Sequence, residues 1–169
     1  QHRHKLMNQD QWGRLDRWLR IFPDHIINQN PHLLISKAWV LYYFWYDLVG
    51  TIQVLDSLDD LLKNESESSE VRQVAAEGLA IRSQYSYWYT DTKAVFAAVQ
   101  QVLDNTPPAY ECVISSAIIS QAGACQLLGD LDKAVHTLQR PLQEAAFKHT
   151  SANRRLLFAL CAIYWTEGD

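Results

Sequence analysis

The sequence predicts an all-α protein: a right-handed superhelical array of antiparallel helix pairs. Three observations carry that prediction. Hydrophobic residues make up 48% of the 169 and charged residues 20%, a balance that supports a folded core. Six Gly and five Pro are few, which suits long helices better than a turn-rich sandwich. Apolar residues recur at helical spacing after similar polar turns, a sign of internal repetition.

The elements follow in order along the chain. Asn8 to Arg20 reads as a helix with Leu15, Trp18 and Leu19 on one side, and Pro23 follows its end. Pro31 fits the first turn of a second helix running to about Tyr46, because its missing N–H is an unpaired donor there in any case. Leu48 to Leu62 is a third, with Ile52, Leu55, Leu58 and Leu62 three and four apart. The polar run 63–69 is a loop, and Ser69 is the expected cap of a helix from Glu70 to about Tyr89. Thr92 to Asp104 follows. Residues 105–108 break the chain, with Thr106 as a cap. Ala109 to Leu128, Asp130 to about Lys148, and Ser151 to Thr166 complete the series. Pro141 should kink its helix, since it removes a donor and crowds the carbonyl of Thr137. Strand signals are weak; Val49 to Leu55 and Val113 to Ile119 fit the helical rhythm better.

The repetition sets the architecture. Each of three segments, starting at Tyr46, Tyr89 and Gly129, has a polar turn, a small residue and then a helical apolar pattern. The small residues Thr51, Ala94 and Ala134 are 43 and 40 residues apart, and a fourth turn begins at Gly168-Asp169. A small residue early in a second helix lets it approach the first closely. One pair cannot bury its apolar faces alone, so neighbours must stack, as in a tetratricopeptide-like solenoid with a long period. All of 1–169 reads as one helical-repeat domain, a fragment of a longer chain.

Composition excludes several function classes. The formal net charge is −4 and no basic stripe appears, so this segment should not contact nucleic acid directly. No apolar run reaches the roughly 18 residues of a membrane span. The three cysteines, Cys112, Cys125 and Cys161, match no metal or disulfide spacing and read as buried thiols in a reducing, cytoplasmic setting. The motifs H-E-x-x-H, C-x-x-C and G-x-S-x-G are absent, so no catalytic residue is assigned. Asp59-Asp60 does not face itself across a helix, and His2 with His4 offers two ligands near a terminus. No metal and no cofactor are expected.

The segment Asn30 to Leu41, with Trp18-Leu19-Arg20-Ile21-Phe22-Pro23 before it and Gly129-Asp130-Leu131 later, resembles the helical-repeat domain of MalT-like, LuxR-type bacterial transcriptional regulators. Tyr46-Asp47-Leu48 occupies the place of a Gly-Asp-Leu turn but lacks the glycine. The resemblance implies a signal-sensing domain, flanked by an ATPase module and a helix-turn-helix. It would bind a small inducer or a regulatory protein partner. The chain itself has no G-x-x-x-x-G-K-[ST] phosphate loop. A scaffold role in another signalling protein shares the same fold.

Aromatic residues mark the candidate binding site. Residues 42–46 and 85–89 crowd rings at the ends of two first helices. These rings either fill the gaps between long helices as core or, if those on adjacent repeats reach the inner curve, form one platform for an uncharged flat ligand or an apolar peptide, with Tyr42, Tyr46, Tyr85 and Trp88 as its members. The last helix is apolar along most of its length, which predicts self-association through the C-terminal end.

Overall fold

A computed structural model describes residues 2–88, 91–144 and 150–167, and the side chains of all of these but 87, 88 and 167. Ten α-helices and one π-helical turn carry this part of the chain, and no strand occurs among the described residues. The chain divides into two compact units, 1–78 and 79–169.

The first unit opens with α1 (His2–Asn8) and α2 (Trp12–Leu19). The sequence predicts one helix across this stretch, from Asn8 to Arg20. The chain instead turns at Asp10, whose φ of 55° is left-handed and cannot continue a right-handed helix. Leu15 and Leu19 are buried as expected, whereas Trp18 is exposed and meets Phe22 edge-on at 5.3 Å. A short α3 (Asp24–Asn28) follows Pro23 and is not anticipated from the sequence. Then comes α4 (Pro31–Val40), where Asn30 accepts from the amides of His32 and Leu33 and Pro31 takes the first position. It runs into a π-helical turn over Leu41–Trp45. Next are α5 (Leu48–Leu62) and α6 (Ser69–Trp88). The cap of α6 is Ser68, not Ser69: its hydroxyl accepts from the amide of Val71 at 3.2 Å.

The second unit holds the rest of α6 with α7 (Thr92–Asn105), α8 (Glu111–Leu127), α9 (Leu131–Gln143) and α10 (Ser151–Glu167). Thr106 ends α7 in extended geometry and does not cap α8, whose N-cap is Tyr110. Pro141 lies in the last turn of α9, which stops at Gln143, short of Lys148. A proline there forfeits one bond near a fraying end. Cys112 and Cys125 are buried, but Cys161 is exposed, contrary to the expectation of three buried thiols.

The repeat is visible in the second helices. Asp47, Asp91 and Asp130 cap α5, α7 and α9, accepting from the amides of Gly50, Ala94 and Lys133 at 2.9, 3.1 and 3.2 Å. Four residues after each cap stand Thr51, Val95 and Ala134, all fully buried. The buried position of the middle repeat is therefore Val95, one residue beyond the predicted Ala94. The cap fixes the helical phase, and the polar turn's length does not. Leu55, Val99 and Leu138 continue the same buried face one turn later.

The first helices keep a near-constant register. His32 meets Glu70 and Trp39 meets Glu77, each 38 residues apart, so α4 and α6 run side by side in one direction. In the second unit Ser83 bonds Ser120, 37 residues away, and Gln126 bonds Thr166, 40 away. Beneath α8, α9 and α10 lies a core of Ala122, Cys125, Ala134, Leu138, Leu156 and Ile163. At about 25 cal/mol per Å² of apolar surface, burial of this kind is the main stabilising term.

Candidate functional site: the aromatic turn after α4

The turn between α4 and α5 is built by one extra residue. In the later turns the capping aspartate's amide donates five residues back, Asp91 to Ser86 and Asp130 to Cys125. At the first turn Asp47 donates one residue further back, to Leu41 at 3.0 Å. The surplus residue widens the last turn of α4 into the π-helix, a local form found often at functional sites. The chain then leaves through Tyr46 at φ 53°, ψ 28°. Gly129 does the same work in the later turn, at φ 78°. A left-handed residue with a Cβ costs about 1 kcal/mol more than glycine there.

The widened turn sorts its rings into two sets. The first points inward: Trp12, Tyr43 and Trp39 form a stacked column, with centroids 4.9 and 5.6 Å apart and planes within 16°. Tyr42 meets Tyr43 edge-on at 5.1 Å and is half-buried. The second set faces solvent. Phe44 lies against Gly13 of α2 and edge-on to Trp45. The Trp45 indole donates to Asp16 Oδ1 at 3.2 Å, while Arg20 donates to Asp16 Oδ2 at 2.9 Å and lies 5.7 Å from the Trp45 ring. Trp45 is 52% exposed and Tyr46 78%. Leu48 and Val49 extend the exposed apolar surface into α5.

Below the inward column sits a buried charge. Glu77 is fully buried, and its Oε2 accepts from the Trp39 indole at 3.1 Å. Its Oε1 pairs with Arg3 and lies 3.4 Å from His4 Nε2. Arg3 also donates to the His32 carbonyl at 3.2 Å and to His32 Nδ1 at 3.0 Å, which leaves His32 Nε2 to donate to Glu70 at 2.6 Å. Burial drives the Glu77 carboxyl upward, but Arg3 and His4 outweigh it and hold the group below the usual carboxylate range. Burial likewise pushes His4 down, more than Glu77 raises it, so a neutral imidazole faces an ionised carboxylate. His4 is thus committed to Glu77, while His2 is exposed. No group of three or more His, Cys, Asp or Glu fit to hold a metal occurs among the described residues.

The four residues of the predicted platform fall in different settings. Tyr42 belongs with the inward column and Tyr46 projects from the surface. The expectation that they share one face rests on α-helical spacing, which the π-helix and the left-handed Tyr46 interrupt. Tyr85 is half-buried in the second unit. Trp88's side chain lies outside the described residues, as do Gly168-Asp169. Sequence reasoning missed Arg3, Glu77 and His32. A lone Glu inside the apolar run Val74 to Ile81 was the available signal for Glu77, but its partners are distant in sequence. No helix among the described residues is long and apolar enough to cross a membrane. Comparison with protein-family models, curated proteins and solved structures finds no match.

Proposed function

We propose that this chain is a non-catalytic interaction domain that grips a protein partner through the exposed aromatic turn, Phe44 to Val49, within a MalT-like, LuxR-type transcriptional regulator of the cytoplasm. The observation that carries the reading is Tyr46. A large ring stands in a conformation that favours glycine, and 78% of it is left in solvent. The fold would be more stable without it, so its presence asks for a use outside the fold. Trp45, tethered by Asp16 but half exposed, is a second anchor with a fixed orientation. Rigid aromatic anchors of this kind concentrate binding energy at protein interfaces. A projecting surface also suits an apolar peptide better than a small inducer, which needs a concave site.

The near-constant register of the first helices and the three aspartate caps support a right-handed, tetratricopeptide-like superhelix as the frame for this surface. Two experiments test the reading. The coding sequence on either side should hold an upstream phosphate loop and a downstream helix-turn-helix; neither being present redirects the assignment to a signalling scaffold. A photo-crosslinking amino acid at position 46, in the cells that make the protein, should capture one protein, and Trp45→Ala should abolish the capture. Labelling no stronger than at an exposed control such as Gln143 contradicts the binding surface.

A further inference from the structure

We infer that the partner is an acidic peptide flanked by apolar residues, which crosses α2 with its carboxylates over Arg17 and Arg20. The inference rests on the reading of the aromatic turn as a protein-binding surface, and it names the chemistry of what binds there. Its ground is the charge that folding brings beside the rings. Phe44 lies against Gly13, Trp45 bonds Asp16, and Arg20 lies over the Trp45 ring, so the turn packs along one edge of α2. Next round the helix stands Arg17, four residues after Gly13 and three before Arg20. With Arg14 it makes a row at spacings of three, and Trp18 and Ile21 lie on the far side of that row. All five of these side chains are exposed. Three arginines therefore separate two apolar patches, the aromatic turn on one side and Trp18 with Ile21 on the other.

The row is poorly neutralised. Asp16 is the one acidic residue of α2, and its carboxylate is shared between Arg20 and the Trp45 indole. Arg14 bonds the neutral side-chain amide of Gln11 at 3.3 Å, and Arg17 has no carboxylate partner among the described residues. Residues 11–23 hold three arginines against one aspartate, in a chain whose net charge is −4. An acidic peptide is repelled by the protein as a whole and attracted here, which steers it to this face. The uncharged ligand expected from the sequence reflects residues 42–49, which carry no cation of their own; the arginines arrive from another helix. A helix is about 10 Å across, and an extended chain covers that distance in about three residues. The pattern that fits is therefore a short acidic run with an apolar side chain at each end.

An anionic membrane also offers negative charge to arginines and a bed for rings. Asp47 argues against it. Its exposed carboxylate caps α5 from between Tyr46 and Leu48, so sinking those side chains among acyl chains would bury a charge with them. A peptide can pass beside Asp47 and leave it in water.

Selection of a phage-displayed random dodecapeptide library on the purified full chain tests the inference, with clones retained by the Trp45→Ala protein removed first. The enriched peptides should carry adjacent Asp or Glu flanked by Trp, Phe or Leu. A synthetic copy of the most enriched should bind Arg17→Glu about tenfold more weakly, bind Arg17→Lys almost unchanged, and weaken as salt is raised. Both Arg17 variants should keep the parent's circular dichroism spectrum, because the side chain stands in solvent. Enriched peptides that are neutral, or that bind Arg17→Glu undiminished, overturn the acidic partner and leave the aromatic turn as a binding surface. No enrichment beyond the Trp45→Ala protein overturns both. Co-sedimentation of the chain with phosphatidylserine vesicles, abolished by Tyr46→Ala, would assign the surface to a membrane and overturn the peptide.

Discussion

The turns ending at Asp47 and Asp130 do one job with opposite chemistry. Both stop a first helix, pass through a left-handed residue and hand the chain to an aspartate cap. At the later turn the left-handed residue is Gly129, with nothing within 4 Å of where a Cβ would sit. At the earlier turn it is Tyr46, preceded by an inserted residue that opens a π-helix. The interiors beneath them differ in the same sense. Where Ser83 meets Ser120, two small hydroxyls share a buried bond at 3.0 Å. Where Trp39 meets Glu77, an ionised carboxylate is buried with Arg3 and His4 around it. The second unit solves its packing with small residues and a relaxed turn. The first carries charge, rings and backbone strain, and such features gather at functional sites more often than at purely structural ones.

The largest expected effect comes from breaking the buried pair. Arg3→Ala takes the guanidinium away from Glu77 and leaves the buried carboxylate with only the Trp39 indole and His4 beside it, which costs about 3–5 kcal/mol. Urea denaturation should show that loss, and adding Glu77→Gln should recover part of it. Ser83→Ala, the matching change in the second unit, removes a neutral bond worth only about 1 kcal/mol. Equal losses from the two would erase the contrast between the units.

Acid separates the units next. Glu77 is held below its ordinary value of 4.5, so its contribution is complete above that pH and disappears as pH falls through the lower folded value. His4 is also depressed, from 6.5, and the unfolded chain takes up protons there that the folded chain refuses. Stability should therefore begin to fall below about pH 6.5 and fall further below about 4.5. Replacing His4 with Asn should flatten the upper part of that curve, measured as urea midpoints from pH 7 to 4. An unchanged slope would mean that His4 is not a neutral ring in the fold.

The sequence made much of this fold legible. The boundaries of α5 were anticipated to the residue, and those of α7 and α10 within a residue or two, because their caps and apolar spacing are local signals. The absence of a glycine at Tyr46-Asp47-Leu48 was visible too, although the π-helix it accompanies was not. A π-helix is a matter of one extra residue between two fixed ends, and periodicity blurs over so short a span. The Arg3–Glu77–His32 network was not legible for a different reason. Its members come from three helices, and only their stacking register brings them together.

A smaller effect reads the later turn. Gly129→Val places a β-branched side chain at φ 78° and should cost about 1–2 kcal/mol. Thermal unfolding checks it, and a neutral result would show that the turn can relax, weakening the strain assigned to its counterpart.

The most direct test is the reciprocal change, Tyr46→Gly, measured by urea unfolding at neutral pH. If the Tyr46 ring serves binding and not folding, removing it relaxes the left-handed backbone without losing buried surface. The variant should be as stable as the parent or more stable by up to about 1 kcal/mol. A loss of more than about 1 kcal/mol would contradict the account, because the ring would then be holding the turn together and its exposure would need no partner to explain it.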